Sequence, residues 1–146
     1  MNMLVTGGLG FIGSNLVDRL VFEGHSVTVV DNLSSESSSK SYINKKAKYI
    51  LEDIRNLNNI SFNSKFDVIF HLAALARIQP SFDRPNETID INARGTAVVC
   101  ELARKTNARV VYAGSSSYYG GVYLNPYSFT KWQGEEVCKM YSEVYG

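Results

Sequence analysis

The chain has 146 residues, of which 45% are hydrophobic, enough for one domain with a buried core. Its formal net charge of +1 gives no general attraction to nucleic acid or to an anionic membrane surface, so we expect neither as a partner. No apolar run is long enough to cross a bilayer, and Cys100 and Cys138 lack metal-ligand spacing. We therefore expect free thiols, no bound metal and a cytoplasmic location.

The first segment of the chain predicts a strand, a glycine turn and a helix. Residues 2–6 are apolar, four glycines follow, and a helical pattern then continues from Phe11 to about Glu23. A turn that must approach a pyrophosphate closely has no room for a β-carbon, and a helix N-terminus offers unpaired N–H groups to phosphate. These features predict a dinucleotide site whose contacts are Gly7, Gly10, Phe11, Ile12 and Gly13.

The second predicted strand, residues 27–30, ends at Asp31. An acidic residue is expected roughly 20 residues after the glycine turn of a dinucleotide site. There it can accept hydrogen bonds from both hydroxyls of an adenine ribose, and it repels the 2′-phosphate of NADP. We therefore expect Asp31, Asn32 and Ser34 to bind NAD. The alternative is that Asp31 is only a turn residue at a strand end. The serine-rich segment 34–41 is predicted to be a surface loop.

The rest of the chain continues the alternation of strands and helices. Apolar, β-branched runs predict three further strands at 48–51, 66–70 and 109–113. Helices are predicted over about 86–106 and 127–145, and a loop is predicted at 77–81. Gly95 lies inside the first of these helices, where glycine costs about 1 kcal/mol relative to alanine. We therefore expect another part of the chain to approach closely at Gly95.

Residues that could carry chemistry follow the fifth predicted strand. Ser115 lies in a run of serines, and Tyr127 and Lys131 are four positions apart, so they share one face of the last helix. A neighbouring ammonium favours the phenolate form of tyrosine, so Tyr127 could exchange a proton with a hydroxyl group. A serine of that run could donate a hydrogen bond to the same oxygen. Taken alone, this pattern is weak, because tyrosine and lysine are common on amphipathic helices.

In combination, several motifs resemble the extended short-chain dehydrogenase/reductase family, whose members include NAD-dependent nucleotide-sugar epimerases and dehydratases. The motifs are Thr6-Gly7-Gly8-Leu9-Gly10-Phe11-Ile12-Gly13-Ser14, His71-Leu72-Ala73-Ala74, Asn92-Ala93-Arg94-Gly95-Thr96 and the Tyr127/Lys131 pair. The resemblance extends from Thr6 to Lys131. It implies an α/β fold with a doubly wound, Rossmann-type parallel sheet of strand order 3-2-1-4-5.

The resemblance also implies roles for individual residues. Ser115, Tyr127 and Lys131 would be catalytic. Further contacts to NAD would come from Asp53, Ile54, Leu72, Ala73, Ala74, Asn92, Tyr127 and Lys131. For Asn92, the alternative is a buried asparagine that caps a neighbouring loop. His71, a lone histidine after a strand, is expected to be a packed residue without a chemical role.

The residues after Ser115 bear on the reaction. Dehydratases of this family usually carry an Asp-Glu pair directly after the catalytic serine or threonine, whereas this chain has Ser116 and Ser117. The resemblance therefore implies an NAD-dependent epimerase acting on a nucleotide-sugar, at C4 of a UDP-sugar. A dehydratase or reductase of the same family is one alternative. The other is an NAD-binding fragment or regulatory module without turnover.

Two departures from the family pattern affect these expectations. Only 6 residues, 121–126, separate Gly120 from Tyr127, fewer than is usual in the family, which leaves the geometry between Ser115 and Tyr127 open. Relatives also continue past the position of Gly146 into a substrate domain. We therefore expect residues 1–146 to be an NAD-binding domain, truncated relative to the family, with little turnover alone.

The two long predicted helices are apolar on more than one side, which predicts a homodimer through them.

Overall fold

The computed structural model of the protein describes residues 1–35 and 38–146; positions 36 and 37 of the predicted serine-rich loop lie outside the described residues. Its five strands are β1 (Asn2–Thr6), β2 (Ser26–Asp31), β3 (Lys48–Leu51), β4 (Val68–His71) and β5 (Arg109–Tyr112). All neighbouring strands are parallel, and their order is β3-β2-β1-β4-β5. The predicted doubly wound sheet is therefore confirmed.

Helices connect the strands. They are α1 (Phe11–Phe22), α2 (Ile78–Asp83), α3 (Pro85–Ile89), α4 (Gly95–Thr106) and α5 (Pro126–Tyr145), with short 3₁₀ turns at Lys40–Tyr42 and Ile54–Asn59. The predicted helix over 86–106 is present as α3, a π-helical turn at Asp90–Arg94 and α4 in direct succession. The predicted loop at 77–81 is wrong, because α2 begins at Ile78. Pro80 lies in the first turn of α2, where an N–H has no partner within the helix, so proline is tolerated.

The core has two halves, one on each face of the sheet. Leu4 of β1 packs on one face with Ile69 and with Val99 of α4. Val5, the next residue, packs on the opposite face with Val17 of α1. Because side chains alternate along a strand, a continuous apolar strand such as β1 serves both halves. Helices on both faces are what a doubly wound sheet requires.

Parallel pairing places the carboxyl ends of all five strands at one edge of the sheet, where ligands bind in folds of this type. The loops after those ends carry the glycine turn, Asp31 and the segments that follow β3, β4 and β5. On the face covered by α4, a β-carbon at Gly95 would lie 2.6 Å from Ile54 Cδ1. The close contact expected at Gly95 is therefore present, and it fixes α4 against the turn that follows β3.

The other sequence-level expectations concern the helices and the thiols. None of the helices in the part of the chain that the structure describes is both long and apolar enough to cross a membrane. Cys100 on α4 and Cys138 on α5 are free thiols, as predicted, with their sulfur atoms 3.7 Å apart. Among residues 1–35 and 38–146 there is no cluster of three or more histidine, cysteine or acidic side chains that could hold a metal ion.

Candidate active site

A cleft of about 560 Å³ lies along the carboxyl edge of the sheet, a volume typical of small-molecule and cofactor sites. Most of the residues predicted for the site line this cleft: Gly7, Gly10, Phe11, Ile12, Gly13, Asp31, Asn32, Ser34, Asp53, Ile54, Leu72, Ala73, Ala74, Tyr127 and Lys131. Two predicted residues, Ser115 and Asn92, are placed outside its lining. The fold thus joins the glycine turn and the Tyr127 helix in one continuous space.

The glycine turn leaves room that a side chain would fill. Gly7 has a φ of 74°, in the left-handed region, and a β-carbon there would lie 2.7 Å from the backbone nitrogen of Ala73. A β-carbon at Gly13 would overlap the carbonyl oxygen of Gly7. Helix α1 has Gly10 as its N-cap and no side-chain hydrogen bond at that cap, so the N–H groups of its first turn remain available to a phosphate. These residues fit the pyrophosphate of a dinucleotide.

Asp31 is buried at the end of β2 and has a structural task that the sequence did not show. Its Oδ2 accepts a hydrogen bond from Leu9 N–H at 2.9 Å, and its Oδ1 accepts one from Leu33 N–H at 2.8 Å. A carboxylate has about four acceptor positions, so two remain for ribose hydroxyls. Asp31 therefore orders the glycine turn and can bind a ribose at the same time.

An ionic network holds Asp53, one of the residues that line the cleft. Arg55 donates to both oxygens of Asp53, at 2.8 Å each, and also to Asp90 in the π-helical turn, at 2.5 Å. The hydrogen bonds from Arg55 hold the pKa of Asp53 down at about 2, so its carboxylate is charged at neutral pH. Asn32 donates to the same carboxylate at 2.9 Å. Asn32 and Asp53 thus tie the ends of β2 and β3 together. The sequence analysis missed Arg55.

A buried hydrogen-bond chain runs beneath the cleft. His71 Nδ1 lies 2.7 Å from Thr6 Oγ1, and His71 Nε2 lies 3.0 Å from Thr96 Oγ1. Because the Thr96 hydroxyl donates to the Asn92 carbonyl oxygen at 2.6 Å, it accepts from Nε2–H, which leaves Nδ1 to accept from Thr6. Burial lowers the pKa of His71 to about 3, so the ring is neutral. His71 is a packed residue that joins β1, β4 and α4.

Asn92, in the π-helical turn, supports the cleft from behind. Its Oδ1 accepts a hydrogen bond from Leu75 N–H at 2.8 Å, and its Nδ2 donates to the Leu75 carbonyl at 3.2 Å and to Thr130 Oγ1 at 3.1 Å. Leu75 lines the cleft. In this structure Asn92 therefore caps a neighbouring segment, which is the alternative stated for it above, and a contact from Asn92 to NAD stays a prediction.

The helix that carries Tyr127 is held at its first turn. Asn125 Oδ1 accepts a hydrogen bond from Ser128 N–H at 2.8 Å and caps α5, and Pro126 occupies the first helical position. The buried Ser81 of α2 accepts a further hydrogen bond from Tyr127 N–H at 3.1 Å. The sequence analysis missed Ser81, because it placed residues 77–81 in a loop.

Lys131 is buried and lies one turn after Tyr127 on α5. Its Nζ donates to the Ala113 carbonyl at 2.5 Å and lies 4.2 Å from the centre of the Tyr112 ring. Burial lowers the pKa of Lys131 from 10.5 to about 8, so the ammonium form predominates at neutral pH. An ammonium has three N–H donors, and two remain for a ligand after the bond to Ala113.

Ser115 lies two residues after Ala113, the hydrogen-bond partner of Lys131, and is not among the residues that line the cleft. Its hydroxyl donates to Ser117 Oγ at 2.9 Å, and its N–H donates to the carboxylate of Glu135 at 3.2 Å. To donate to a substrate oxygen, the Ser115 hydroxyl would have to exchange its present partner. The sequence analysis missed Glu135, although its position four residues after Lys131 places it on the same face of α5.

The fold is a doubly wound parallel sheet, and one cleft at its carboxyl edge is lined by both the glycine turn and the Tyr-x-x-x-Lys helix. The chain belongs to the NAD dependent epimerase/dehydratase family, which it matches over residues 3–146. NAD is the cofactor of this family, and the glycine cradle and uncapped helix N-terminus of this chain fit it.

Comparison with individual proteins agrees. The chain is 36% identical to a UDP-glucose 4-epimerase of Mycolicibacterium smegmatis, over 99% of this chain and 52% of that protein. It is also 36% identical to a UDP-N-acetyl-alpha-D-glucosaminuronate decarboxylase of Bacillus cytotoxicus, over 80% of this chain and 37% of that protein. The chain thus spans about half the length, or less, of these curated relatives.

Two solved structures show the same fold. A UDP-glucose 4-epimerase from Thermotoga maritima, solved with UDP-glucose, superimposes with a TM-score of 0.93 at 29% identity, covering 100% of this chain and 52% of that chain. MoeE5, in complex with UDP-glucose and NAD, superimposes with a TM-score of 0.82 at 32% identity, covering 97% of this chain and 49% of that one. MoeE5 therefore supplies a relative with the cofactor bound.

Proposed function

We propose that this chain is the NAD-binding and proton-transferring part of an epimerase that acts at C4 of a UDP-sugar. The observation that carries the proposal is that the glycine turn, Tyr127 and Lys131 line one cleft. A cofactor at the turn and a sugar hydroxyl at Tyr127 would then be neighbours. The 4-epimerase names of several relatives support the choice of reaction.

In this proposal each end of the cleft has its own task. The pyrophosphate would lie over Gly7, Gly10 and Gly13, and Asp31 would accept hydrogen bonds from the adenine ribose. The remaining contacts to NAD would be Phe11, Ile12, Asn32, Ser34, Asp53, Ile54, Leu72, Ala73, Ala74, Asn92, Tyr127 and Lys131. We place the whole domain, residues 1–146, in this cofactor-binding role.

NAD held by the glycine turn and Asp31 would supply the hydride chemistry, as acceptor from the sugar carbon and then as donor to the opposite face of that carbon. Tyr127 would take the proton of the sugar hydroxyl as that carbon becomes a carbonyl, and would give it back on return. Lys131, one turn further along α5, would favour negative charge on the Tyr127 oxygen during this step. Ser115 would donate a hydrogen bond to the same substrate oxygen once its hydroxyl leaves Ser117.

Two alternatives remain distinct from this proposal. A dehydratase, decarboxylase or reductase of the same family would share the cofactor site, and the decarboxylase relative keeps this class open. The presence of Ser116 and Ser117, where dehydratases usually have Asp-Glu, favours epimerisation. The second alternative is an NAD-binding module without turnover.

The test separates cofactor binding from chemistry. In calorimetry, the 146-residue chain should bind NAD. Joined to the C-terminal half of the Mycolicibacterium smegmatis relative, it should interconvert UDP-glucose and UDP-galactose. Tyr127→Phe should lower this turnover by about 1000-fold or more and leave NAD affinity within about twofold, because it removes only the proton-transferring oxygen. NAD binding without turnover in the joined protein would favour the silent module.

We also propose that the protein forms a homodimer through α3, α4 and α5 and works in the cytoplasm. Ile89, Met140 and Val144 expose 42%, 44% and 62% of their surface on these helices. A symmetric four-helix contact would cover them. The two free thiols support a reducing compartment. Light scattering should report twice the chain mass at micromolar concentration, and a monomer there would remove the dimer from the proposal.

A further inference from the structure

The carboxylate of Glu135 connects two segments that the proposed reaction needs together. Glu135 lies on α5, one turn after Lys131 and two turns after Tyr127. Its Oε1 accepts a hydrogen bond from Ser115 N–H at 3.2 Å, and its Oε2 accepts one from the Tyr118 hydroxyl at 2.6 Å. Each oxygen thus holds a different residue of the loop between β5 and α5.

The loop passes directly against this carboxylate. A β-carbon at Gly114 would lie 2.8 Å from Glu135 Oε1, so the lack of a side chain at Gly114 permits the contact. One residue earlier, the Ala113 carbonyl accepts the hydrogen bond from Lys131. Lys131 and Glu135 lie on the same face of α5. Their charged groups bond to Ala113 and Ser115, the residues on either side of Gly114 just after β5.

The first part of this loop, residues 115–121, makes few hydrogen bonds to α5. Besides the two bonds to Glu135, the described part of the chain has one from Ser128 Oγ to the Ser117 carbonyl, at 3.3 Å. Ser115 and Ser117 bond to each other through their hydroxyls. Glu135 is therefore the residue of α5 that bonds directly to Ser115, while Lys131 and Ser128 bond to Ala113 and Ser117 on either side of it.

We propose that Glu135 is a positioning residue of the site, which holds Ser115 on the helix face that carries Tyr127 and Lys131. This inference rests on the proposed function, because only that function gives the Ser115 hydroxyl a role towards a substrate. It requires no contact between Glu135 and substrate or cofactor, since Glu135 is absent from the cleft lining. It assigns a role to the whole pattern Tyr127, Lys131 and Glu135, spaced by four residues.

Glu135 also affects the charge state of Lys131. Burial lowers the pKa of Lys131, and the negative charge of Glu135 opposes that effect and raises it. The other groups facing Lys131 are the Tyr112 ring, the neutral His71 and Cys138. Removing the charge of Glu135 should therefore move the titration of Lys131 to lower pH, a result that a purely structural role would not produce.

Nuclear magnetic resonance of the 146-residue chain without ligand tests the positioning role. With ¹³Cε-labelled lysine, Glu135→Gln should lower the titration midpoint of Lys131 by roughly half a pH unit or more. Tyr118→Phe, which leaves the carboxylate charged, should not shift it. Glu135→Gln should also speed amide exchange at Ser115 by about tenfold, because its hydrogen-bond acceptor loses its charge.

Glu135→Asp covers the case in which Glu135→Gln fails to fold. It keeps the charge but shortens the side chain, so Ser115 exchange should rise while the Lys131 midpoint stays near its original value. Unchanged Ser115 exchange in both variants would overturn the proposal, as would an unchanged Lys131 midpoint in Glu135→Gln. These measurements need neither NAD nor turnover, so they can fail independently of the proposed function.

Discussion

The two ends of the cleft differ in how completely the described residues close them. Near the glycine turn, Asp31 is bonded to the backbone of that turn, and Arg55 bonds to both oxygens of Asp53. In the loop that precedes Tyr127, the side chains of Tyr119 and Tyr123 are 79% and 86% exposed. The proposed cofactor site is thus held by bonds within the chain, whereas the loop beside the proposed sugar site leaves large aromatic side chains uncovered.

The largest effect of a substitution on NAD affinity is expected at the glycine turn. Gly13→Ala should weaken NAD binding by about 100-fold, because the new β-carbon overlaps the Gly7 carbonyl oxygen and fills the cradle. Gly120→Ala is the matched control, since a β-carbon there meets only ordinary contact, at 3.7 Å from Leu124. Calorimetry measures the NAD affinity of both variants. Equal affinity in the two would show that the phosphates of NAD are not bound at the turn.

A smaller effect is expected at Asp31, which bonds to the glycine turn and is proposed to bind the adenine ribose. Asp31→Asn removes the charge that repels a 2′-phosphate and one of the acceptors for Leu9 or Leu33. NAD affinity should fall by about tenfold, and the preference for NAD over NADP should narrow. Glu143→Gln, at the exposed end of α5, removes a charge without touching the cleft. An unaltered NAD/NADP ratio in Asp31→Asn would leave Asp31 with only its structural task.

The fold and much of the site were predictable because they depend on local patterns. A glycine turn between an apolar run and an amphipathic helix indicates β1 and α1, and Asp31 follows at a known spacing. The bonds of Asp31 to Leu9 and Leu33 were not predictable, because they depend on how the turn folds over the strand end. The role of Arg55 depends on Asp90, which is distant in sequence.

The errors have similar causes. The sequence predicts a loop at 77–81, whereas the structure has the short helix α2 there, with Pro80 in its first turn, where proline is tolerated. The π-helical turn at Asp90–Arg94 has no distinct composition, so a continuous helix was the natural prediction. The hydrogen bond from Ser115 to Ser117 could not be inferred from a run of serines, because every serine in it is a candidate partner.

A separate effect is expected on the stability of the folded chain at Lys131. Burial lowers the pKa of Lys131 from 10.5 to about 8, so between these pH values the unfolded chain retains a proton that the folded chain has lost. The free energy of unfolding therefore increases as the pH rises through this window. Below it, Lys131 is charged in the folded protein, and burial of that charge lowers the free energy of unfolding. Lys131→Met should be more stable than the parent at pH 7 by about 1–3 kcal/mol, with the difference shrinking towards pH 10.

Chemical denaturation across this pH range measures the effect. Lys139→Met is the matched control, because Lys139 lies exposed on the same helix. A stability difference between Lys131→Met and the parent that stays constant from pH 7 to about pH 10 would contradict the depressed pKa. It would mean that Lys131 is solvated in the folded protein.

The central claim is that one cleft holds NAD at the glycine turn and presents it to Tyr127 and Lys131. A crystal structure of the chain with NAD tests this most directly. We predict that the pyrophosphate lies on the N-terminus of α1 at Gly10–Gly13, that the adenine ribose bonds to Asp31, and that the nicotinamide reaches Tyr127 and Lys131. Phosphates bound away from Gly10, or a nicotinamide that does not approach Tyr127, would contradict the account.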